Sequence, residues 1–239
     1  MKLIKNAALA ALLAGGLLAG PAQAQEAAIR KHLTERLPQL GKIDEVSKTP
    51  MPGIFEVRVG TDLFYSDAEG NFLFHGQLID TRQQRNLTEE RQDKLLAIDF
   101  SALPVKDAFT IVRGNGKRKI AVFEDPNCSY CKKFERDLQK VDNVTVYMFL
   151  YPILGPDSAD KSRNIWCARD KSRAWQDWMV RDQAAPSATC DTVALARNIE
   201  FGKKYKITGT PTLVFADGTR VPGAIGAPQV EKLLAEVKP

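Results

Sequence analysis

Val122-Phe123-Glu124-Asp125-Pro126-Asn127-Cys128-Ser129-Tyr130-Cys131 is the stretch on which the reading of this 239-residue chain turns. Ile120 to Phe123 form a continuous apolar run, the pattern of a strand buried on both faces. Asp125-Pro126-Asn127 breaks the run. Beyond it Cys131, Phe134, Leu138 and Val141 recur at helical spacing, and Val144 to Leu150 is again rich in β-branched and aromatic residues. Strand, turn, helix and strand in that order predict a βαβ unit, with a C-x-x-C motif where the helix begins. A sulfur at a helix N-terminus faces unsatisfied backbone N–H groups and the positive end of the helix dipole. Cys128 is therefore expected to ionise more easily than a free thiol and to be open to a visiting polypeptide, with Lys132 and Lys133 adding positive charge. Cys131, one turn inside, is expected to be shielded and to act as the resolving thiol.

The remaining cysteines are Cys167 and Cys190, and four cysteines permit three pairings. Zinc needs four Cys or His ligands, yet 22 residues separate Cys167 from Cys190 and the two histidines, His32 and His75, lie far upstream. Redox chemistry is thus the favoured reading of the C-x-x-C; a zinc site or a purely structural bridge are the alternatives. A bridge between Cys167 and Cys190 would contribute about 3 kcal/mol by the chain-entropy argument and reads as structural. Gly209-Thr210-Pro211 stands directly before the apolar run Thr212 to Phe215, where a cis proline could present extended backbone to a bound chain. A trans proline opening an edge strand is the plainer alternative. An Asp217-Gly218 turn, Arg220-Val221 and a helix with Val230, Leu233, Leu234 and Val237 on one face end the chain.

Upstream, residues 25–85 read as a small α+β unit. Ile29, Leu33 and Leu37 share one helical face, and Ile54 to Val59, Leu63 to Tyr65 and Asn71 to Phe74 read as strands, the last two joined by an Ala68-Glu69-Gly70 turn. So small a unit buries little surface alone, and pairing with a second copy is expected. Asp80 to Asp99 is polar, with Asn86 and Glu89 resembling a helix start, so residues 86–105 read as a helical linker and residues 106–239 as the second domain. Lys2 and Lys5, an apolar stretch from Ala7 to Ala19 and Ala22-Gln23-Ala24 read as a signal peptide over residues 1–24. The chain is expected to work on the far side of a membrane, where disulfides persist. With 44% apolar and 26% charged residues it should be globular. The formal charge of +5 drops by two, to +3, without Lys2 and Lys5, too weak and dispersed for a nucleic-acid surface. Glu124 or Asp125 could accept a proton beneath the cysteines, but a solvated acid near a strand end is the plainer reading of each. Trp166, Trp175 and Trp178 read as packing residues.

Four blocks taken together carry a resemblance: Val122 to Cys131, Ile165-Trp166-Cys167-Ala168-Arg169-Asp170-Lys171, Ala185-Pro186-Ser187-Ala188-Thr189-Cys190-Asp191, and Thr208-Gly209-Thr210-Pro211-Thr212. The chain resembles the DsbC/DsbG family of exported protein disulfide isomerases over nearly its whole length. The resemblance implies an α+β protein with a small N-terminal dimerisation domain, a helical linker and a C-terminal thioredoxin-like domain with a helical insertion. It implies a periplasmic homodimer that rearranges wrong disulfides in misfolded exported proteins, with chaperone activity, no cofactor, no metal, and a membrane reductant of the DsbD type as partner. By carry-over Cys128 is the attacking thiol and Cys131 the resolving thiol. Ser129, Tyr130, Thr210 and Pro211 meet the substrate, and Cys167 with Cys190 forms the non-catalytic bridge. Two departures touch redox poise: Ser129-Tyr130 stands where Gly-Tyr or Pro-Tyr is usual in the family, and Lys132 where His is common. A dithiol oxidant and a holdase chaperone with secondary thiol chemistry remain the alternative functions.

Overall fold

The computed structural model describes residues 21–237; of the expected signal peptide, residues 1–20 lie outside them. The chain divides into two compact units between Glu89 and Glu90.

In the first unit, helix α1 (Pro21–Arg36) buries Ile29 and Leu33, one turn apart, against Val46, Phe55 and Val57. These come from an antiparallel sheet ordered β1 (Glu45–Lys48), β2 (Ile54–Val59), β3 (Asp62–Asp67) and β4 (Leu73–Phe74). Strand β1 escapes sequence reading because Glu45-Val46-Ser47-Lys48 has one apolar residue and no alternation. It pairs Glu45 with Arg58, whose Nε donates to Glu45 Oε2 at 3.1 Å. The turn after β3 forms where expected: Asp67 Oδ1 accepts from the N–H groups of Asn71 and Phe72 at 2.7 and 2.9 Å. Gly70 has φ +68°, and a Cβ there would lie 3.2 Å from the Ile29 Cα, so conformation and space both demand glycine.

The polar stretch from Asp80 begins with a short hairpin of β5 (Ile79–Asp80) and β6 (Arg85–Asn86) before helix α2 (Leu87–Leu96). The helix start is the reciprocal cap that the sequence suggested. Asn86 Oδ1 accepts from the Glu89 N–H at 3.2 Å, and Asn86 Nδ2 donates to Glu89 Oε2 at 3.3 Å. Past α2 the chain does not stay helical. It makes two short 3-10 turns, Phe100–Ala102 and Val105–Asp107, between which Leu103 is buried.

The second unit is a five-stranded sheet ordered β11-β10-β8-β9-β7, comprising β7 (Phe109–Arg113), β8 (Arg118–Glu124), β9 (Val144–Leu150), β10 (Thr212–Phe215) and β11 (Arg220–Pro222). Helix α3 (Ser129–Leu138) connects the parallel neighbours β8 and β9, completing the βαβ unit; all other pairings are antiparallel. The apolar run of β8 is buried on both faces, as its continuity requires. Ile120 and Val122 join a cluster with Cys131, Phe134 and Leu138 of α3, whereas Ala121 and Phe123 face Phe149, Tyr151 and Phe201. Helices α4 (Pro156–Trp166), α5 (Lys171–Arg181) and α6 (Val193–Lys204) form the insertion before β10, and α7 (Ala227–Glu236) buries Val230 and Leu234.

Cys167, the C-cap of α4, is joined by a disulfide to Cys190 across a sequence separation of 23. Replacing both by Ala should destabilise the oxidised protein by about 3 kcal/mol, read from urea unfolding. A loss under about 1 kcal/mol would mean that this loop is already ordered in the unfolded chain.

Candidate active site

Asp125 shapes the loop that carries the dithiol. Its side chain is fully buried and accepts four hydrogen bonds, from the N–H groups of Asn127, Ile153 and Leu154 at 2.8, 2.8 and 2.9 Å and from Ser158 Oγ at 2.7 Å. The expectation of a solvated acid is therefore wrong for Asp125, which is the internal strut of the loop. It is wrong for Glu124 as well, which has 0% exposure because strand alternation turns it to the face of Val122 that α3 covers.

The loop delivers Cys128 as the N-cap of α3. Its Sγ accepts the Cys131 N–H at 3.2 Å and lies 3.2 Å from the carbonyl oxygen of Thr210, to which the thiol form donates. Thr210-Pro211 is a cis peptide bond in the segment leading into β10. Cys128, Thr210 and Pro211 thus come together from positions more than 80 residues apart, while Ser129 and Tyr130 open α3 exposed, Tyr130 with 67% of its surface free. Cys128 keeps 6% of its surface and Cys131 none, so the first sulfur is less open than expected but still the accessible one.

Both are free thiols with opposite acidities. The Cys128 pKa is lowered to about 6, chiefly by a hydrogen bond from the Cys131 thiol. The Thr210 side chain and the N–H groups of Cys131 and Tyr130 add to this, while burial opposes it. Burial, then the hydrogen bond given to Cys128 and the charge of Glu124, push Cys131 far up. The arrangement can hold a thiolate at Cys128 near neutral pH beside a protonated thiol at Cys131.

Lys132 is engaged away from the dithiol. Lys132 Nζ lies 2.5 Å from Asp182 and 4.1 Å from the centroid of the Trp178 ring, and Lys161 Nζ lies 4.6 Å from that centroid. Trp178 is more than packing, because its indole N–H donates to the Pro126 carbonyl at 2.6 Å and so braces the active loop. Sequence reasoning also missed Glu135, whose signal was available: an acid between Phe134 and Leu138, one turn beyond Cys131 on the buried face of α3. Cys167 is consumed by its bridge and cannot complete a zinc site with the C-x-x-C.

A mixed sheet whose central strand feeds a C-x-x-C into a helix N-terminus, beside a threonine-proline pair, is the architecture of thioredoxin-like thiol:disulfide interchange proteins. Residues 105–238 match the family described as a thioredoxin-like domain, and residues 20–89 match the N-terminal domain of disulfide bond isomerase proteins. The chain belongs to the DsbC family. It is 46% identical over 192 residues to the probable thiol:disulfide interchange protein DsbC of Bordetella parapertussis, covering 80% of this chain and 68% of that one. It is 31% identical over 224 residues to the thiol:disulfide interchange protein DsbC of Escherichia coli, covering 91% and 90%. A solved disulfide interchange protein from Neisseria gonorrhoeae superposes with a TM-score of 0.54 at 39% identity, over 56% of this chain and 97% of that one. The protein is accordingly an enzyme of thiol:disulfide interchange, of the disulfide isomerase type.

Proposed function

We propose that the chain rearranges incorrect disulfides in exported proteins of the periplasm, with Cys128 as attacking thiol and Cys131 as resolving thiol. The carrying observation is the inequality of the two sulfurs: one stabilised as a thiolate with a small part of its surface open, the other wholly enclosed and protonated. The Cys128 thiolate attacks one sulfur of a wrong substrate disulfide; a mixed disulfide forms and the other substrate sulfur leaves as a thiolate. A substrate thiolate then attacks the mixed disulfide, forms a new substrate pairing and returns the Cys128 thiolate, so no net electrons move. If this stalls, Cys131 attacks Cys128 instead, releasing reduced substrate and leaving an enzyme disulfide that a DsbD-type membrane dithiol would reduce. Ser129, Tyr130, Thr210 and Pro211 line the approach to Cys128 and meet the substrate chain.

Homodimerisation through residues 25–85, with residues 86–105 as linker and residues 106–239 as the catalytic domain, belongs to the same proposal. It is supported by Met51, Phe72, Phe74 and Ile79, large apolar residues of the first unit that remain about half exposed or more, two of them at the β4 edge. A chaperone activity on the same exposed surfaces goes with it. Among the described residues no helix is long and apolar enough to cross a membrane.

The test is a scrambled substrate with several disulfides in a glutathione buffer. Wild-type protein should restore native pairing, whereas recovery no faster than in buffer alone would overturn the proposal. The lowered Cys128 pKa gives the oxidant reading a specific ground, since a stabilised thiolate favours the reduced enzyme and makes its disulfide oxidising. Rapid acid trapping of the thiols in the periplasm separates the two: an isomerase is found reduced and an oxidant oxidised.

A further inference from the structure

The turn that delivers Cys128 has a rotatable centre. Residues 125–128 form a β-turn, closed by the Cys128 N–H donating to the Asp125 carbonyl at 3.0 Å, with Pro126 and Asn127 in the middle. Proline fixes its own φ, but the peptide that follows it can still turn over. Type I and type II turns differ by that rotation, and type II needs a left-handed residue at the Asn127 position. Asparagine tolerates the left-handed region better than most residues. Asn127 nevertheless does not adopt a positive φ, and the reason is that both polar groups of the Pro126–Asn127 peptide are taken. Its N–H donates to Asp125 Oδ1 at 2.8 Å, within the turn, and its carbonyl accepts the Trp178 indole N–H at 2.6 Å, from α5 of the helical insertion. The Asn127 side chain offers that carbonyl no substitute, because its Nδ2 is spent on Asp157 Oδ2 at 2.7 Å and Ser158 Oγ at 3.0 Å of α4. The indole is oriented in turn. Lys132 of α3 and Lys161 of α4 lie 4.1 and 4.6 Å from its ring centroid; Lys132 is tied to Asp182, and Lys161 donates to Asn127 Oδ1 at 2.8 Å.

We propose that Trp178 is a positioning residue for the attacking thiol: by fixing the Pro126–Asn127 peptide it holds Cys128 Sγ in line with the Cys131 N–H at the start of α3. This inference rests on the reading of Cys128 as the attacking thiol. Hydrogen bonds weaken steeply off their axis, and those to a charged group are the strong ones, so the donors at the start of α3 hold a thiolate only when the turn delivers the sulfur to one place. The residue that fixes the delivery therefore fixes how readily the sulfur ionises. Lys132 belongs to the same arrangement, since its cation bears on Cys128 through the ring that it orients. The charged groups about the ring are Lys132, Lys161 and Asp182, with Asp157 joined to Lys161; the ionisable groups bearing on the sulfur are Cys131 of α3 and Glu124 of β8.

The experiment is a pH titration of Cys128 alkylation by iodoacetamide in the reduced full-length protein. Trp178→Phe keeps a ring for the two cations and removes the indole N–H. The midpoint, at about pH 6 in the wild-type protein, should rise by about one pH unit, the size of losing part of one charge-assisted hydrogen bond. A tryptophan that merely packs would, when replaced, lower the urea midpoint and leave the Cys128 titration where it was. The coupling is reciprocal, so ionisation of Cys128 must strengthen the indole bond by the same factor. Protection of the Trp178 indole N–H from hydrogen exchange, followed by NMR in the wild-type protein, should accordingly rise about tenfold between pH 5 and 8 and stay flat in Cys128→Ala. Should Trp178→Phe fail to fold, this second measurement decides alone. A Trp178→Phe titration that superposes on the wild-type curve, or an indole protection that does not change with pH, overturns the positioning role. A wild-type midpoint at about 8.5 would instead sink the assignment of Cys128, and this inference with it.

Discussion

Changing Cys128 to Ala should reduce interchange activity by about a thousandfold or more, the scale on which removal of a covalent nucleophile acts. The size follows from the inability of its neighbour to substitute. Cys131 has no exposed surface, and its proton is held more tightly than in an ordinary thiol, so it offers an incoming disulfide neither access nor a thiolate. Cys131→Ala should behave differently: attack on substrate persists, and the mixed disulfide accumulates because its internal escape is gone. The two variants therefore diverge in a non-reducing gel, where only the second carries trapped substrate. The fold should survive either change, since the Cys128 loop is held by Asp125 and by the Trp178 indole rather than by sulfur. Retention of full rescue of a scrambled substrate by Cys128→Ala would refute the mechanism. Suppression of aggregation that persists without rescue would identify a separate holdase activity.

The parts of the molecule legible in sequence are those in which one residue type carries one constraint. Ile120 to Phe123 is apolar at every position because both faces of β8 are covered, and Ile29 with Leu33 recur at one turn because one face of α1 is. The Asn86 and Glu89 cap was readable for the same reason: short side chains at a fixed offset answer to local backbone donors. What stayed hidden depends on partners distant in sequence. Glu45 to Lys48 is a strand only because Arg58 and Val57 lie opposite, and Asp125 looked solvated because its donors at Ile153, Leu154 and Ser158 arrive from beyond β9. The charge of Lys132 was counted toward Cys128 by proximity in sequence, but a side chain that long is directed by Asp182 and Trp178 instead. In the candidate site the positions of Cys128 and Cys131 along α3 could be anticipated, whereas the depth of Glu124 could not. That depth requires knowing which face of β8 lies against which face of α3.

Alkylation of Cys128 by iodoacetamide should follow a titration with its midpoint at about pH 6, where the folded protein sets this thiol. Against a free cysteine of pKa about 8.5, the thiolate fraction at pH 6 is larger by about 150-fold. A less basic thiolate is also a weaker nucleophile, and a Brønsted slope of about 0.4 to 0.5 over roughly 2.5 units returns about a tenfold loss. The net expectation is that Cys128 reacts about tenfold faster than free cysteine at pH 6 and several-fold slower at pH 9, the two curves crossing between roughly pH 7 and 8. The same lowering has a thermodynamic sign. The folded-state pKa lies below the unfolded one, so the thiolate stabilises the reduced fold fully above the unfolded value, and that contribution is lost as pH falls through about 6. Reduced protein should therefore gain stability relative to its oxidised form as pH rises from 5 to about 8, measured as the difference between their urea midpoints; above that the gain stops, because Cys131 ionises in the unfolded chain and not in the folded one. The same rise in the stability of the reduced protein should be absent from Cys128→Ala, which has no thiolate at this position and forms no active-site disulfide. A Cys128 that alkylates with a midpoint near 8.5, or a pH-independent difference between reduced and oxidised stability, would show that the hydrogen bonds from Cys131, Thr210 and the start of α3 do not hold a thiolate. The inequality between the two sulfurs would then have to come from access alone.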